Sequence, residues 1–211
     1  MTVSPREQLP TLRGRQTQAA IDAAARVVIA RKGILAATIS DIAAEAGKST
    51  ASFYNYYDSK EAMVREWAVR FRDEARERSR AAAEPGLTNW ERSYQAGAAH
   101  WNTYRNRLAE IISVSQLAMI SDDFAEYWAD ICSLPIGLIT QTVKQAQRQG
   151  FCSPEDDPHL VSVAMVSMLN QFCYTQLSGD TAADNVDDDA CITTLANIFY
   201  RTIYHKEAGL I

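Results

Sequence analysis

The apolar residues of this chain recur at helical spacing, and this periodicity restricts the folds open to it. Near the N-terminus, Ile21, Ala24, Ala25, Val28 and Ile29 follow the i, i+3, i+4, i+7, i+8 pattern that turns one helix face towards a core. Valine and isoleucine do not alternate with polar residues as they do in a half-buried strand. The sequence therefore predicts an all-α protein of about nine helices, with no β-sheet.

Capping residues and glycines predict where the helices begin and end. Gly33 ends the first helix, since glycine readily adopts the conformation that stops one. Thr38 and Asp41 form an approximate capping box for a short second helix, which ends at Gly47. The predicted helices cover residues 17–32, 38–46, 49–56, 58–83, 88–104, 107–119, 122–149, 157–178 and 187–205.

Charge divides the chain into a small basic part and a larger acidic part. Residues 1–60 carry a net charge of +3, whereas residues 61–211 carry −8. Only the basic part is therefore expected to meet a polyanion. We predict a flexible arm at residues 1–16, a compact head at residues 17–60 and a helical body at residues 61–211.

Cysteine and histidine are too scattered for a metal site or a disulfide scaffold. The cysteines contain no C-x-x-C pair, and His100, His159 and His205 are isolated from one another. Free thiols, the absence of an apolar signal segment at the N-terminus and the absence of a long apolar run predict a cytoplasmic protein. The cysteines are interpreted as packing residues at positions Cys132, Cys152, Cys173 and Cys191.

Three acidic clusters, at residues 122–123, 155–157 and 187–189, are open to two interpretations. They could hold a metal ion, or they could offset the dipoles of the helices predicted to begin there. The second interpretation is favoured because all three stand at predicted helix N-termini. No metal and no cofactor are predicted.

Residues 38–54 contain two short helices joined by a turn at Gly47, which is the pattern of a helix-turn-helix. In that motif the second helix enters the major groove of DNA. Its exposed side chains here are small or hydrogen-bonding, so the backbone can approach base edges closely. These side chains are Lys48, Ser49, Thr50, Ala51, Ser52 and Asn55. The predicted buried positions are Ile42, Ala43, Phe53 and Tyr57.

The segment Phe-Tyr-Asn-Tyr-Tyr-Asp-Ser-Lys-Glu at residues 53–61 resembles the sequence that closes the DNA-binding domain of TetR-family transcriptional regulators. The resemblance extends back through the Gly-Lys-Ser turn and the Thr-x-x-Asp-Ile-Ala start of the second helix to the first helix. Two positions depart from the family pattern. Tyr56 stands where histidine is frequent, and Tyr57 stands where phenylalanine is frequent. Tyr57 is expected in the core and needs a partner for its hydroxyl.

The resemblance implies that Tyr54 and Tyr56 contact DNA phosphates. It also implies that Lys60, at the start of the fourth helix, places its charge and the helix-end amides on another phosphate. Lys60 could instead be an ordinary surface residue.

Four further residues have an open role at the DNA. Thr38 and Ser40, at the start of the second helix, belong to the predicted DNA-binding set, although Ser40 could also serve only in capping. Arg13 and Arg15 are either a minor-groove contact or simply two arginines of a tail.

The predicted helix at 157–178 is apolar nearly all round, so it must be buried on every side. TetR-like dimers use their last two helices in a four-helix bundle. The resemblance therefore implies a homodimer through helices 157–178 and 187–205. Such a dimer would read a palindrome with half-sites about 34 to 36 Å apart.

The body is similar, more weakly, to the ethionamide-resistance repressor subgroup of that family. The similar segments are Tyr-Trp at 127–128, Gln-Arg-Gln-Gly at 147–150, Met-Leu-Asn at 168–170 and Ile-Phe-Tyr-Arg-Thr-Ile-Tyr at 198–204. Members of the subgroup hold a ligand in an apolar tunnel lined by aromatic residues and closed by an asparagine. The lining residues implied here are Trp90, Tyr94, Trp101, Trp128, Asn170, Tyr174 and Phe199.

Two residues bear on the shape and chemistry of that tunnel. The amide of Asn170 lies in an apolar run, where it needs either the ligand or a backbone carbonyl as partner. Pro135 should interrupt and kink its helix, because proline lacks the N–H of a helical hydrogen bond.

Together these patterns predict a ligand-responsive DNA-binding regulator that acts as a repressor and is released by a mostly apolar small molecule. A lipid-like, acyl, steroid or aromatic compound would fit the implied lining. The catalytic motifs H-E-x-x-H and G-x-S-x-G are absent, so an enzyme is not expected. The alternative is a helical scaffold or partner-binding module that does not bind DNA.

Overall fold

The computed structural model describes residues 12–80, 86–178 and 186–205, and this part of the chain forms eight α-helices and no strand. The helices are α1 (Leu12–Ala36), α2 (Ile39–Glu45), α3 (Thr50–Tyr54), α4 (Lys60–Arg80), α5 (Asn89–Leu117), α6 (Asp122–Arg148), α7 (Pro158–Leu177) and α8 (Asp188–Ile203). The predicted all-α class is confirmed. None of the described helices has both the length and the apolarity that crossing a bilayer demands.

Helix α5 is the central element, because it packs against α1, α4, α6, α7 and α8. The sequence predicted two helices at 88–104 and 107–119, but the structure joins them into one. The join lies at Arg107, whose φ of −134° and ψ of 26° are not helical. The predicted break is therefore a kink inside a continuous element.

The first helix extends beyond both of its predicted ends. Helix α1 begins at Leu12, so residues 12–16 are helical although they were assigned to the flexible arm; residues 1–11 lie outside the described part. Gly33 interrupts α1 with a φ of 75°, as its predicted stop requires, and one further turn follows it.

Helix caps follow the sequence signals closely. Capping boxes form at Thr38 with α2 and at Thr88 with α5, in each case with the acidic residue three positions later. Asp157 and Asp187 cap α7 and α8, and residues 122–123 stand in the first turn of α6. The interpretation of the acidic clusters as helix N-terminal charges is confirmed.

Helix α6 runs from end to end through Pro135, where an interruption was predicted. The proline removes one N–H from the helix, which leaves the carbonyl of Ile131 without its usual helical partner. Both residues face the body cavity described below.

The buried residues form three clusters. The first holds the head together and continues across the predicted head–body boundary into Trp67 of α4, Val114 of α5 and Phe124 of α6. The second joins α5 to α7 and α8, and the third joins α6 to the same two helices. Head and body therefore share one apolar core where they meet.

Candidate nucleic-acid interface and ligand cavity

Local hydrogen bonds fix the turn between α2 and α3. Asp41 N donates to Thr38 Oγ1 at 3.1 Å, and Thr38 N donates to Asp41 Oδ2 at 2.9 Å. Gly47 has a φ of 61°, which a residue with a Cβ adopts only with strain. Ser49 then caps α3 by accepting a bond from Ser52 N at 3.2 Å. The two short helices are thus joined as a helix-turn-helix.

Burial separates the inner and outer faces of this motif. Ile42, Ala43, Phe53 and Tyr57 are each no more than 2% exposed, as predicted. Among the predicted DNA-binding residues, Ser52, Tyr56 and Lys60 are partly buried. The exposed ones are Thr38, Ser40, Lys48, Ser49, Thr50, Ala51, Tyr54 and Asn55.

Tyr57 finds the hydroxyl partners that its buried position requires. Its Oη donates to Asp22 Oδ1 at 2.7 Å and accepts from Gln18 Nε2 at 3.0 Å, so it joins the end of the motif to α1. Burial, together with the neighbouring Asp22 carboxylate, raises the pKa of Tyr57 above its usual range. The tyrosine that replaces the family's phenylalanine therefore serves the core.

The body contains a cavity of about 300 Å³. Its walls come from α4, α5, α6, α7 and α8, and the ring of Phe71 reaches it from α4. The lining residues in the described ranges 12–80, 86–178 and 186–205 include no Lys, Arg, Asp or Glu. The residues that line the cavity are Phe71, Ala96, Ala99, His100, Thr103, Tyr104, Ile111, Trp128, Ile131, Cys132, Leu134, Pro135, Leu138, Ile139, Leu169, Asn170 and Phe199.

Few of the cavity's polar groups are open to a ligand. Thr103 Oγ1 donates to the carbonyl of Ala99 at 2.7 Å, and Asn170 Nδ2 donates to Cys132 Sγ at 3.7 Å. His100 differs, because its Nε2 is buried without any hydrogen-bond partner. Burial lowers the pKa of His100 to about 4, against the opposing effect of the Asn170 side chain, so the ring is neutral at pH 7.

Comparison with known proteins identifies the architecture. Residues 21–67, which span the helix-turn-helix and its supports, match the bacterial regulatory proteins of the tetR family. The chain is 26% identical to the HTH-type transcriptional regulator EthR of Mycobacterium tuberculosis over 215 aligned positions, covering 97% of this chain and 98% of EthR. Residues 21–67 therefore match the DNA-binding part of the tetR family, and the chain as a whole resembles EthR.

Solved structures of the family share this fold at lower identity. AibR in complex with isovaleryl coenzyme A and operator DNA has a TM-score of 0.63 at 19% identity, covering 87% of this chain and 97% of AibR. FadR of Bacillus subtilis in complex with stearoyl-CoA has a TM-score of 0.57 at 18% identity, covering 90% of this chain and all of FadR. The likeness to these structures shows that the chain shares their fold. The tetR match at residues 21–67 indicates a DNA-binding regulator.

One predicted DNA contact is engaged elsewhere in this TetR-family head. Lys60 Nζ donates to the main-chain oxygens of Ile34 at 2.7 Å, Ala37 at 2.9 Å and Leu35 at 3.4 Å. Carbonyls at the end of a helix lack partners within it, and a lysine ammonium satisfies them well. The structure thus ties Lys60 to the end of α1, and its phosphate contact stays a prediction.

The seven predicted ligand-binding residues are divided by the structure. Trp128, Asn170 and Phe199 line the cavity, whereas the other four do not. Trp101 is fully buried, and its Nε1 donates to Asp188 Oδ1 at 3.0 Å. Helical spacing alone could not separate aromatic residues of the core from those of the cavity wall.

The remaining three lie on or near the surface of the body. Trp90 is 41% exposed, stacks on Tyr94 with ring centroids 5.5 Å apart, and donates to Asn197 Oδ1 at 3.3 Å. Tyr174 is 38% exposed on α7. The family resemblance implies that these three residues line the tunnel, but their positions on α5 and α7 leave them outside the cavity wall.

His100 and Phe71 were not predicted as cavity residues. His100 stands alone in the sequence, with no histidine or cysteine near it, and so carries no metal or catalytic signal. Phe71 lies in α4, and no sequence pattern connects this helix with the body's interior. The four cysteines are free, and the described residues contain no group of three His, Cys, Asp or Glu side chains that could hold a metal ion.

Proposed function

We propose that this protein is a transcriptional repressor that binds a palindromic operator as a homodimer and is released by a mostly apolar small molecule. The observation that carries this proposal is that the helix-turn-helix and the apolar cavity are joined by two shared helices, α4 and α5. A ligand in the cavity can therefore act on the head through rigid elements, without an additional domain.

The outer face of the head supports DNA binding. Lys48, Thr50 and Asn55 are exposed there, with side chains that suit phosphate and base-edge contacts. The hydroxyls of Thr38 and Ser49 already take part in helix caps, so we assign these two residues to positioning the motif. The helical N-terminus of α1 also places Arg13 and Arg15 on an ordered element.

The last two helices support a homodimer. Helix α7 has its inner face in the second and third clusters but leaves Leu160 66% exposed and Tyr174 38% exposed. A second copy would cover these side chains together with the outer face of α8. A two-fold pair would also present two recognition helices to successive major grooves.

The lining of the cavity supports a ligand that is apolar over most of its surface. The AibR and FadR structures hold isovaleryl coenzyme A and stearoyl-CoA, respectively. No Lys or Arg lines the cavity among the residues that the structure describes, so on this lining phosphates would have to lie outside it. An acyl chain, a steroid or another aromatic or lipid-like compound is accommodated without a buried countercharge.

Contacts along α4 provide one route from the cavity to the head. At one end Phe71 lines the cavity, and in the middle Trp67 lies under the guanidinium of Arg26 of α1, 4.9 Å from its ring centroid. At the other end Lys60 holds the carbonyls that end α1. A shift of Phe71 is thus carried to the first helix of the head.

Helix α5 provides the second route, through its kink. Tyr104 and Ile111 line the cavity on either side of Arg107. From the same turn, Glu110 accepts a bond from Arg26 Nε at 2.9 Å. Further along α5, Gln116 Oε1 accepts from Ile34 N of α1 at 3.0 Å. For a ligand to turn a 99:1 preference for the DNA-binding state into 1:99, it must distinguish the two states by about 5.5 kcal/mol.

A cavity-filling variant tests this coupling without knowledge of the ligand. Thr103→Phe places a ring in the cavity from α5, and Asn102→Phe places the same ring on the exposed side of the same helix. We expect Thr103→Phe to weaken binding to operator duplex at least tenfold and Asn102→Phe to leave it unchanged, as measured by fluorescence anisotropy. Equal DNA affinity for both folded variants would contradict the release mechanism.

The salt dependence of DNA binding distinguishes the proposed regulator from the alternative, a helical scaffold. Phosphate contacts release counterions, so the logarithm of the binding constant must fall with the logarithm of the salt concentration. A folded dimer without salt-dependent binding to any duplex would indicate a helical scaffold instead.

A further inference from the structure

One polar atom of the cavity wall has no hydrogen-bond partner among the described residues. This atom is Nε2 of His100, which is buried, and the ring belongs to the cavity wall on α5. A buried nitrogen that loses its water and gains no hydrogen bond in return destabilises the folded protein. Such an atom persists in a folded protein most readily where another molecule supplies the missing bond.

The charges around the ring restrict that other molecule. Within the part of the chain that the structure describes, the lining contains no Lys or Arg to neutralise an anion and no Asp or Glu to neutralise a cation. The Asn170 side chain, which acts on the His100 ring through a hydrogen bond and also donates to Cys132 Sγ, carries no charge. Transfer of an ion into such a site is strongly unfavourable, whereas transfer of a hydroxyl, amide or ester is balanced by one hydrogen bond.

From this geometry we propose that the ligand of the cavity carries one uncharged hydrogen-bonding group, and that this group pairs with Nε2 of His100. This inference rests on the proposed function, in which the cavity is the effector site. A neutral imidazole can donate through one nitrogen and accept through the other, so either a hydroxyl or a carbonyl can complete the pair. His100 is then the residue that orients the ligand, with the apolar body against Trp128 and Phe199.

Three probes with the same apolar body test the proposal. They are n-butylbenzene, 4-phenylbutan-1-ol and 4-phenylbutanoate, which end in no polar group, a hydroxyl and a carboxylate. Binding of each to the full chain is measured by isothermal titration calorimetry at pH 7.5. The wild-type protein should bind the alcohol at least tenfold more tightly than the carboxylate, since the latter must bury its charge.

The decisive variant is His100→Phe, with His100→Gln as its matched control, because glutamine keeps a nitrogen donor near the position of Nε2. We expect His100→Phe to weaken binding of the alcohol about tenfold while changing that of n-butylbenzene less than threefold. His100→Gln should retain most of the alcohol's affinity. Circular dichroism and gel filtration establish that each variant is folded.

The outcomes separate this inference from the proposed function. If n-butylbenzene and the alcohol bind the wild type but His100→Phe weakens neither, or if the carboxylate binds more tightly than the alcohol, the role of His100 is refuted while the cavity remains a ligand site. If none of the three probes binds the wild-type protein, the effector site itself is refuted together with the inference.

Discussion

The contact between Arg26 and Glu110 gives the sharpest quantitative prediction, because it joins head and body through a buried carboxylate. Glu110 is only 2% exposed, and one of its oxygens accepts from Arg26 Nε at 2.9 Å and lies 3.5 Å from Arg107 Nη1. Its second oxygen is buried without a partner. The buried negative charge of Glu110 is therefore balanced mainly by Arg26 and Arg107.

Replacement of Arg26 by methionine keeps an apolar side chain and removes the charged guanidinium, which lies 4.9 Å from the Trp67 ring centroid. Breaking a buried ion pair by deleting one partner destabilises a protein by ~3 to 5 kcal/mol. Here we expect about 2 to 3 kcal/mol, because Arg107 remains and because Arg26 is itself 38% exposed. Glu110→Gln should cost less, about 1 kcal/mol, since the uncharged amide needs no countercharge.

A double-mutant cycle isolates the pair from other effects of the two substitutions. We expect a coupling free energy of ~1 to 2 kcal/mol between Arg26→Met and Glu110→Gln, measured by urea unfolding at fixed protein concentration. The coupling should persist from 0.1 to 0.5 M NaCl, because salt screens buried charges weakly. A coupling below about 0.5 kcal/mol, or one that disappears in salt, would refute the account of this contact as a buried link.

Other substitutions test the head and the cavity. Lys48→Met should reduce the salt slope of DNA binding by about one, whereas Lys60→Met should leave the slope unchanged and lower the free energy of unfolding by ~1 to 3 kcal/mol; a smaller slope for Lys60→Met would restore its predicted phosphate contact. His100 has a lowered pKa of about 4 in the folded protein, so as the pH falls below about 6.5 the unfolded chain takes up a proton that the folded chain does not. Between pH 6.5 and 4 the wild-type protein should therefore lose about 3 kcal/mol of stability relative to His100→Phe, as measured by urea unfolding. If the free energies of unfolding of the two proteins change equally over this pH range, the pKa of His100 is not lowered.

Signals that act within a few residues made the head predictable. The capping box at Thr38 and the positive φ of Gly47 are local properties, and both appear in the structure where the sequence placed them. Even Tyr57 could be assigned to the core with a hydroxyl partner required, although not with Asp22 as that partner. Asp22 and Tyr57 are 35 residues apart in the sequence, so no local pattern could identify them as partners.

The cavity depended on how five helices meet, and that information is not local. An aromatic residue at helical spacing reads the same whether it faces the core, as Trp101 does, or the cavity, as Trp128 does. His100 carried no sequence signal, since its significance arises from a missing partner in three dimensions. The carbonyl partners of Lys60 could not be predicted for a similar reason, because they lie at the end of another helix.

The central claim is that the protein recognises a specific DNA sequence as a dimer. Selection of bound duplexes from a randomised DNA library, using purified full-length chain at low salt, tests it most directly. The account predicts an enriched palindrome with half-sites about one helical turn apart, or a whole multiple of that spacing. Absence of any enrichment by a folded dimer, after bound ligand has been removed by unfolding and refolding, would contradict it.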